Sequence, residues 1–577
     1  MNTSASSRGP AWRLFVPKLI TVLRQGYSFA DFRHDTTAGL TVAIVALPLS
    51  LALAIASGTT PDRGLITAVV AGFLISALGG SRFQIGGPTG AFVVVVFNVI
   101  AQHGYDGLLV ATLLAGAMLI IAGFAQLGTW IKYIPQPVIT GFTAGIAVVI
   151  FSSQVKDLFG LQMTAVPADF IEKWRAYAQH AASADAASMT LAAVALAIIL
   201  LARRFAPKLP GFLLAVLFAS VIAWLFSTGV PTIGSKFGAL PNTLPEPHLP
   251  DLSWLQIKAV LPSAFTIAFL AGVESLLSAV IADGMTGRRH RSNCELVAQG
   301  VANIASTVFG GIPATGAVAR TATNIRSGSR SPISGMLHAA FLLLFMLLLG
   351  PLIAYIPLAS LAAVLVVVAW NMSEVHRFRA LLTAPAGDRV VLLLTFFLTV
   401  LLDLTVAIAV GVVLAAIMFM HRMAEAVAIQ NRGELLDRDI DDFRRPKTDT
   451  YTRRAGLPAG VEVFELRGPF FFGAASKLTD VLERIGQPPK VYVLLMREVP
   501  LVDATGAHAL REFIDRCHRV GTIVILAEIR PAVRSTLGGM NLLAGDHVIL
   551  EDHFARAVEQ AGEIAAGDGR EAAPKAL

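Results

Sequence analysis

Apolar residues run in long blocks from about residue 36 to His421, with short polar or Gly/Pro-bearing breaks between them, and the pattern changes beyond. The blocks predict membrane spans at 36–56, 62–79, 88–102, 107–128, 136–155, 188–203, 210–229, 262–283, 293–310, 316–326, 332–350, 358–371, 387–403 and 405–421. A helix needs about 20 apolar residues to cross the hydrocarbon. The third and tenth blocks are too short and predict half-helices. Each of them opens at a broken phrase: Gly86-Gly87-Pro88-Thr89-Gly90-Ala91 in the first case, Gly311-Ile312-Pro313-Ala314-Thr315-Gly316-Ala317 in the second. Gly and Pro interrupt backbone hydrogen bonding, which bilayer depth tolerates only where the chain is buried in protein or lines a cavity. Two interrupted segments in corresponding positions of two halves point to a transporter's substrate site.

Fourteen spans divide into seven and seven, and an odd number per half places the halves in opposite orientation. With the N-terminus inside, the basic residues gather in cytoplasmic loops: Arg82, Lys132, Arg203-Arg204 with Lys208, Arg288-Arg289-His290-Arg291, Arg326 with Arg330, and Arg377 with Arg379. Loops 156–187 and 230–260, expected outside, hold fewer. This is the bias that orients membrane proteins. The two broken spans then enter from opposite sides, and their helical parts start near mid-membrane, N-terminus toward N-terminus. Helix N-termini carry unpaired N–H donors and about half a positive charge each, so the pair is suited to an anion.

Past His421 a charged linker (422–454) leads to a segment of alternating strands and helices. Strands are expected at 461–466, 491–495 and 522–526, and helices at 475–485 and 504–519. That alternation predicts an α/β domain with a mainly parallel sheet. The expected organisation is a cytoplasmic N-terminal segment (1–35), a transmembrane unit (36–421), the linker, an α/β domain (455–565) and a disordered tail (566–577).

Composition narrows the function. The chain has 577 residues, 55% hydrophobic and 15% charged, against about 25% charged in soluble domains. The first thirty residues lack an apolar core with a cleavage site, so no signal peptide is expected. The formal charge of +7 sits in inter-span clusters, which argues against nucleic-acid binding. Cys294 and Cys517 lie in no metal-ligand spacing. A serine elbow, a phosphate loop and a zinc signature are all lacking, so the sequence calls for no enzyme activity and no cofactor.

Several residues stand out inside the spans. Arg320 lies in the second half-helix, where a charge is a functional hypothesis by default. Glu274 is the only acid in the centre of its span, with Ser278 one turn on along the same face. It is a candidate proton carrier, or else a structural partner of Arg320 or of backbone donors. Thr89, Gly90, Ala91, Gly316 and Ala319 surround the half-helix starts and are expected to admit the anion closely. Pro48 predicts a kink in the first span, with Leu49 and Leu53 as a candidate apolar wall. Asn293, Glu295, Gln299 and Asn303, at helical spacing, are expected to fix the eighth span against the ninth.

The runs Glu274 to Val280, Asp283-Gly284-Met285-Thr286 and Asn293 to Gly300 resemble the SulP anion transporters, solute carrier family 26. Ala46 to Ala52 and Trp370-Asn371-Met372-Ser373-Glu374 resemble its bacterial members, and the C-terminal segment resembles a STAS domain. The resemblance implies two inverted seven-segment repeats, with segments 1–4 and 8–11 forming a core that moves against a gate as an elevator. It implies dimers, and small anions such as sulfate, bicarbonate, chloride or dicarboxylates. It gives Ala319 and Arg320 as binding residues and Glu274 with Ser278 as the coupling pair. Two positions depart from the family. Leu49 and Leu53 replace polar or aromatic cavity residues, and Glu274 stands where sodium-coupled members have Asp, which favours a proton. In Leu501-Val502-Asp503-Ala504-Thr505-Gly506, Ala504 replaces the phosphorylated Ser of anti-sigma antagonists, with Thr505 as a substitute acceptor. The sequence therefore predicts a proton-coupled anion symporter in a bacterial inner membrane, both termini cytoplasmic. An exchanger, a sodium-coupled bicarbonate carrier and a membrane-anchored STAS sensor are the alternatives. The expected partners are the anion, a proton or sodium, lipid, a second copy and a cytoplasmic ligand of the STAS domain.

Overall fold

The computed structural model describes residues 11–567 except 130–134, 164–165, 168, 207–208, 227, 239–240, 242, 403, 426–427, 432–456, 472–487 and 544–547. Lys132, Lys208, most of the expected linker, the expected helix 475–485 and nearly all of the tail lie outside the described residues. The chain divides into two compact units, Met1–Ala415 and Ala416–Leu577.

The first unit is helical. After a short amphipathic helix α1 (Lys18–Gln25) come α2 (Phe29–Ala56), α3 (Pro61–Leu78), α4 (Gly90–Phe124), α5 (Gln136–Phe159), α6 (Phe170–His180), α7 (Ala186–Phe205), α8 (Gly211–Leu225) and α9 (Ile233–Phe237). The second half brings α10 (Trp254–Thr286), α11 (Ser292–Val308), α12 (Val318–Arg326), α13 (Ile333–Ile353), α14 (Leu358–Met372), α15 (Val375–Leu382), α16 (Ala386–Leu401) and α17 (Leu404–Glu425). Among the described residues nine helices are long and apolar enough to cross a bilayer. A helix covers each of the predicted segments. Outside the predicted segments lie α1, α6, α9 and α15, which are polar or amphipathic and too short for a hydropathy pattern to register.

The third and fourth segments are not separated by a loop. They join end to end in α4 at Gly104, the one non-helical residue within it, with φ 73° and ψ 179°. Glycine takes that conformation without a Cβ clash, so it ends the half-helix while the chain runs on.

The broken phrases pair with each other. Strands β1 (Gly86–Gly87) and β2 (Thr315–Gly316) form a two-stranded antiparallel ribbon, Gly86 opposite Gly316 and Gly87 opposite Thr315. Each strand has a neighbour for its backbone groups, so unwound chain can be buried among helices. The pairing also fixes together the two segments that lead into α4 and α12. Around this ribbon α4 packs on α10 and α11, and α13 packs on α2 and α3.

The second unit is a five-stranded sheet in the order β3 (Ala428–Asn431), β4 (Val461–Arg467), β5 (Val491–Glu498), β6 (Ile523–Ala527) and β7 (Val548–Glu551). The last four strands are parallel and β3 is antiparallel to β4. Side chains alternate across the sheet. Tyr492, Leu494 and Met496 pack with α18 (Ala504–Arg519), while Val491, Val493 and Leu495 pack with the helix Phe554–Ala566. The predicted strands and the helix at 504–519 are present. β3 falls inside the stretch expected to be linker; four residues are too few to outweigh the charges that follow them.

Candidate anion site

Arg320 is the third residue of α12, which starts at Val318 rather than at Gly316, because Thr315 and Gly316 are drawn into the ribbon. The side chain is 2% exposed. Its Nη2 donates to the Pro88 carbonyl oxygen at 2.9 Å and approaches the Ser50 hydroxyl at 3.5 Å. Nε and Nη1 have no hydrogen-bond partner among the described residues. A guanidinium has five N–H donors and no way to shed its charge. Here most of them are buried and unanswered at the junction of two helix starts, which is the arrangement an anion completes.

Glu274 stands across this junction on α10. Its Oε2 accepts a hydrogen bond from the Thr89 hydroxyl at 2.8 Å. It is close enough to Arg320 for the two charges to interact. Gly90 and Ala91 form the first turn of α4 and are buried, while Ala319 in the first turn of α12 is exposed. The first N–H groups of each helix have no intrahelical acceptor. Thr89, Glu274 and Arg320 are thus brought together, with Gly90 and Ala91 following Thr89 along the chain and Ala319 preceding Arg320.

Two expected residues do other work. Ser278 donates to the Thr321 hydroxyl at 3.1 Å, and Thr321 accepts from the Ile85 N–H at 3.1 Å, so Ser278 pins α12 to α10. Gly316 faces Gln84: a Cβ there would lie 1.7 Å from the Gln84 amide nitrogen. Its lack of a side chain is a packing requirement. Gly87 has the more direct bearing on the site. At φ +149° it sits where a Cβ would come 2.6 Å from Arg320 Nη1.

The polar face on α11 fixes more than the neighbouring span. Glu295 accepts from the backbone N–H groups of Gly80 and Ser81 at 2.8 and 3.1 Å, and from Gln299 at 3.0 Å. Ser275 on α10 links it to Gln84. Asn303 holds both the N–H and the carbonyl of Ala314, each at 2.9 Å. Thr67 accepts the Ile312 N–H at 2.7 Å. These amides and carboxylates satisfy the non-helical backbone on either side of the ribbon, which apolar side chains could not do. Ser50 and Pro88 were missed from sequence. Ser50 leaves a trace there, being the only hydroxyl residue between Thr41 and Ser57 in α2. Leu49 and Leu53 are buried in the apolar core beside it. Among the described residues no group of three or more His, Cys, Asp or Glu could hold a metal ion.

Paired broken helices meeting at a buried cation, within a bundle of apolar helices and followed by a small α/β unit, define the class of anion-carrying membrane transporters. The sulfate permease family model matches residues 32–395 and the STAS domain model matches 457–561. This chain belongs to that family, the SulP/SLC26 anion transporters. YvdB of Bacillus subtilis, provisionally named a sulfate transporter, is 40% identical over 92% of this chain and 97% of its own. The bicarbonate transporter BicA of Picosynechococcus is 31% identical over 84% of this chain and 87% of its own. The solved murine SLC26A9 anion transporter superposes with a TM-score of 0.82, covering 97% of this chain and 96% of its own at 19% identity, a likeness of fold.

Proposed function

We propose that this protein is a secondary active transporter of a small oxyanion, sulfate or bicarbonate, or of a dicarboxylate, and that it carries a proton with it. The observation that supports this most directly is Arg320, buried at the meeting of two helix N-termini with Nε and Nη1 unpartnered. Thr89, Gly90, Ala91, Gly316, Ala319 and Arg320 make up the anion site, with Gly316 acting through packing. The relatives named for sulfate and for bicarbonate transport favour these two anions.

Glu274 supplies the coupling, and Ser278 holds the helix that bears Arg320. When ionised, the Glu274 carboxylate competes with the anion for the field of Arg320. When protonated, it leaves the cation to the anion alone. Charges facing one buried cavity interact more strongly than in water, so losing the Glu274 charge strengthens the hold of Arg320 on the anion and links anion and proton binding. Segments 1–4 and 8–11, which hold the ribbon, form a core that moves as an elevator against a gate of segments 5–7 and 12–14 and delivers the site to either face. The protein functions in the plasma membrane, a bacterial inner membrane, with both termini cytoplasmic. It works as a homodimer, with the STAS unit serving regulation and assembly.

Uptake of radiolabelled sulfate and bicarbonate into proteoliposomes tests the reading. Accumulation driven by an inward proton gradient and unaffected by a sodium gradient is expected. Glu274→Gln should abolish that accumulation while sulfate still binds. Accumulation by the Gln variant under the proton gradient would make Glu274 structural. Accumulation driven by sodium alone would identify the coupling ion as sodium.

A further inference from the structure

A cavity of about 320 Å³ lies toward the other end of the half-helix that begins at Gly90. Phe97, Asn98 and Gln102 of α4 line it together with Lys156, Lys173, Lys236, Asp157 and Asp169. None of the residues around Arg320 lines it. From Gly90 to Phe97 the helix rises about 10 Å, so the two sites are separate.

The charges around this cavity are unevenly matched. Lys236 lies 4.0 Å from Asp157, and Lys156 Nζ donates to the Met163 carbonyl at 2.6 Å. Asp169 is occupied as the cap of α6, accepting from the N–H groups of Ile171 and Glu172 at 2.9 and 3.0 Å. Lys173 is 3% exposed and has neither an ion pair nor a hydrogen bond to a described residue. Its ammonium sits 5.6 Å from the centre of the Phe97 ring. Burial holds that ammonium below the usual lysine range. Asp169 favours the charge but does not approach it closely enough for an ion pair, and three lysines against two carboxylates leave an excess of one positive charge around the cavity. Asn98 and Gln102 add amide donors to the lining.

We infer that this cavity is a second anion site, centred on Lys173, which takes an oxyanion of the class carried at Arg320. The inference rests on the anion-transport reading. In the orientation given by the basic loops, the cavity is on the external side, between the helix that holds the first site and the connection between α5 and α7. An anion bound there answers the Lys173 charge and bridges α6 to α4, on the route between outside and the ribbon.

Equilibrium binding of radiolabelled sulfate, and separately of bicarbonate, to the full-length protein in lipid nanodiscs tests this. The wild type should bind two anions per chain, Arg320→Ala one, and Arg320→Ala with Lys173→Gln none. Arg320→Ala with Lys173→Arg should bind one. Lys173→Met removes the excess charge and should raise the melting temperature in anion-free buffer while abolishing one of the two sites. A merely structural ammonium, stacked on Phe97, predicts instead that the Met variant melts lower and keeps both sites. If Arg320→Ala binds no anion while Lys173→Gln keeps one, the second site does not exist and the first stands. If Lys173→Gln alone binds none, the Arg320 site is the one that fails.

Discussion

Arg320 and Glu274 are the two charges that the apolar pattern could not hide. A single Arg or Glu in a run of aliphatic residues is visible from sequence because a charge at membrane depth has a free-energy cost that an ordinary packing role does not offset. Arg320→Ala should weaken sulfate binding at its own site by about 1–3 kcal/mol, roughly 5- to 150-fold in Kd, the scale of charged hydrogen bonds, which leaves that site empty at sulfate concentrations that just fill it in the wild type. Calorimetric titration checks it, and an unchanged Kd would remove Arg320 from the site. Ser50→Ala is expected to act in the same direction but by less than 1 kcal/mol, since the 3.5 Å approach of Ser50 to Nη2 is long. The partners of these charges were not legible. Ser50 is 270 positions from Arg320 and Thr89 is 185 from Glu274, and no local periodicity encodes a contact at that separation. Ser278 shows the opposite failure. Helical spacing correctly placed it on the Glu274 face, yet its hydroxyl is taken by Thr321 of another helix.

At the scale of elements, the breaks were visible and their mutual pairing was not. Gly and Pro announce where helices must stop, but two-residue strands have no pattern of their own. What holds the ribbon is the set of polar side chains on α3, α10 and α11 that reach its backbone. The helical spacing of Glu295, Gln299 and Asn303 indicated a common face, while the backbone groups they satisfy come from loops that sequence could not place. Gly316 is the tightest point. A methyl group there would overlap the Gln84 amide and force it off Ser275, to which it donates at 2.6 Å. Gly316→Ala should therefore destabilise the protein by about 1–3 kcal/mol through overpacking and a lost buried hydrogen bond. Thermal unfolding in detergent would show a lower midpoint. Adding Gln84→Ala should recover part of the loss by making room, and a double variant as unstable as the sum of the two singles would mean that the clash lies elsewhere.

For the whole molecule, the change in pattern near His421 separated a bundle from an α/β unit, and the structure moves the first strand of the sheet upstream of the charged stretch. Ala428–Asn431 pairs along four residues with β4, Ala428 opposite Arg467 and Asn431 opposite Phe464. The place where the STAS unit is cut then matters. A deletion of residues 440–577 leaves this strand attached to the transport unit with its partner gone, and an unpaired edge invites association with other chains. A deletion of residues 426–577 removes the strand with its sheet. The longer deletion should give a monodisperse protein on size-exclusion chromatography that binds sulfate within about threefold of the full chain. The shorter one should aggregate or lose yield. The reason is that the sheet has its own apolar core on both faces, so it is expected to fold around itself and to leave sulfate binding to the transport unit. Loss of sulfate binding in a monodisperse, thermally stable 426–577 deletion would show that the α/β unit shapes the anion site, and the division of labour between the two units would then be wrong.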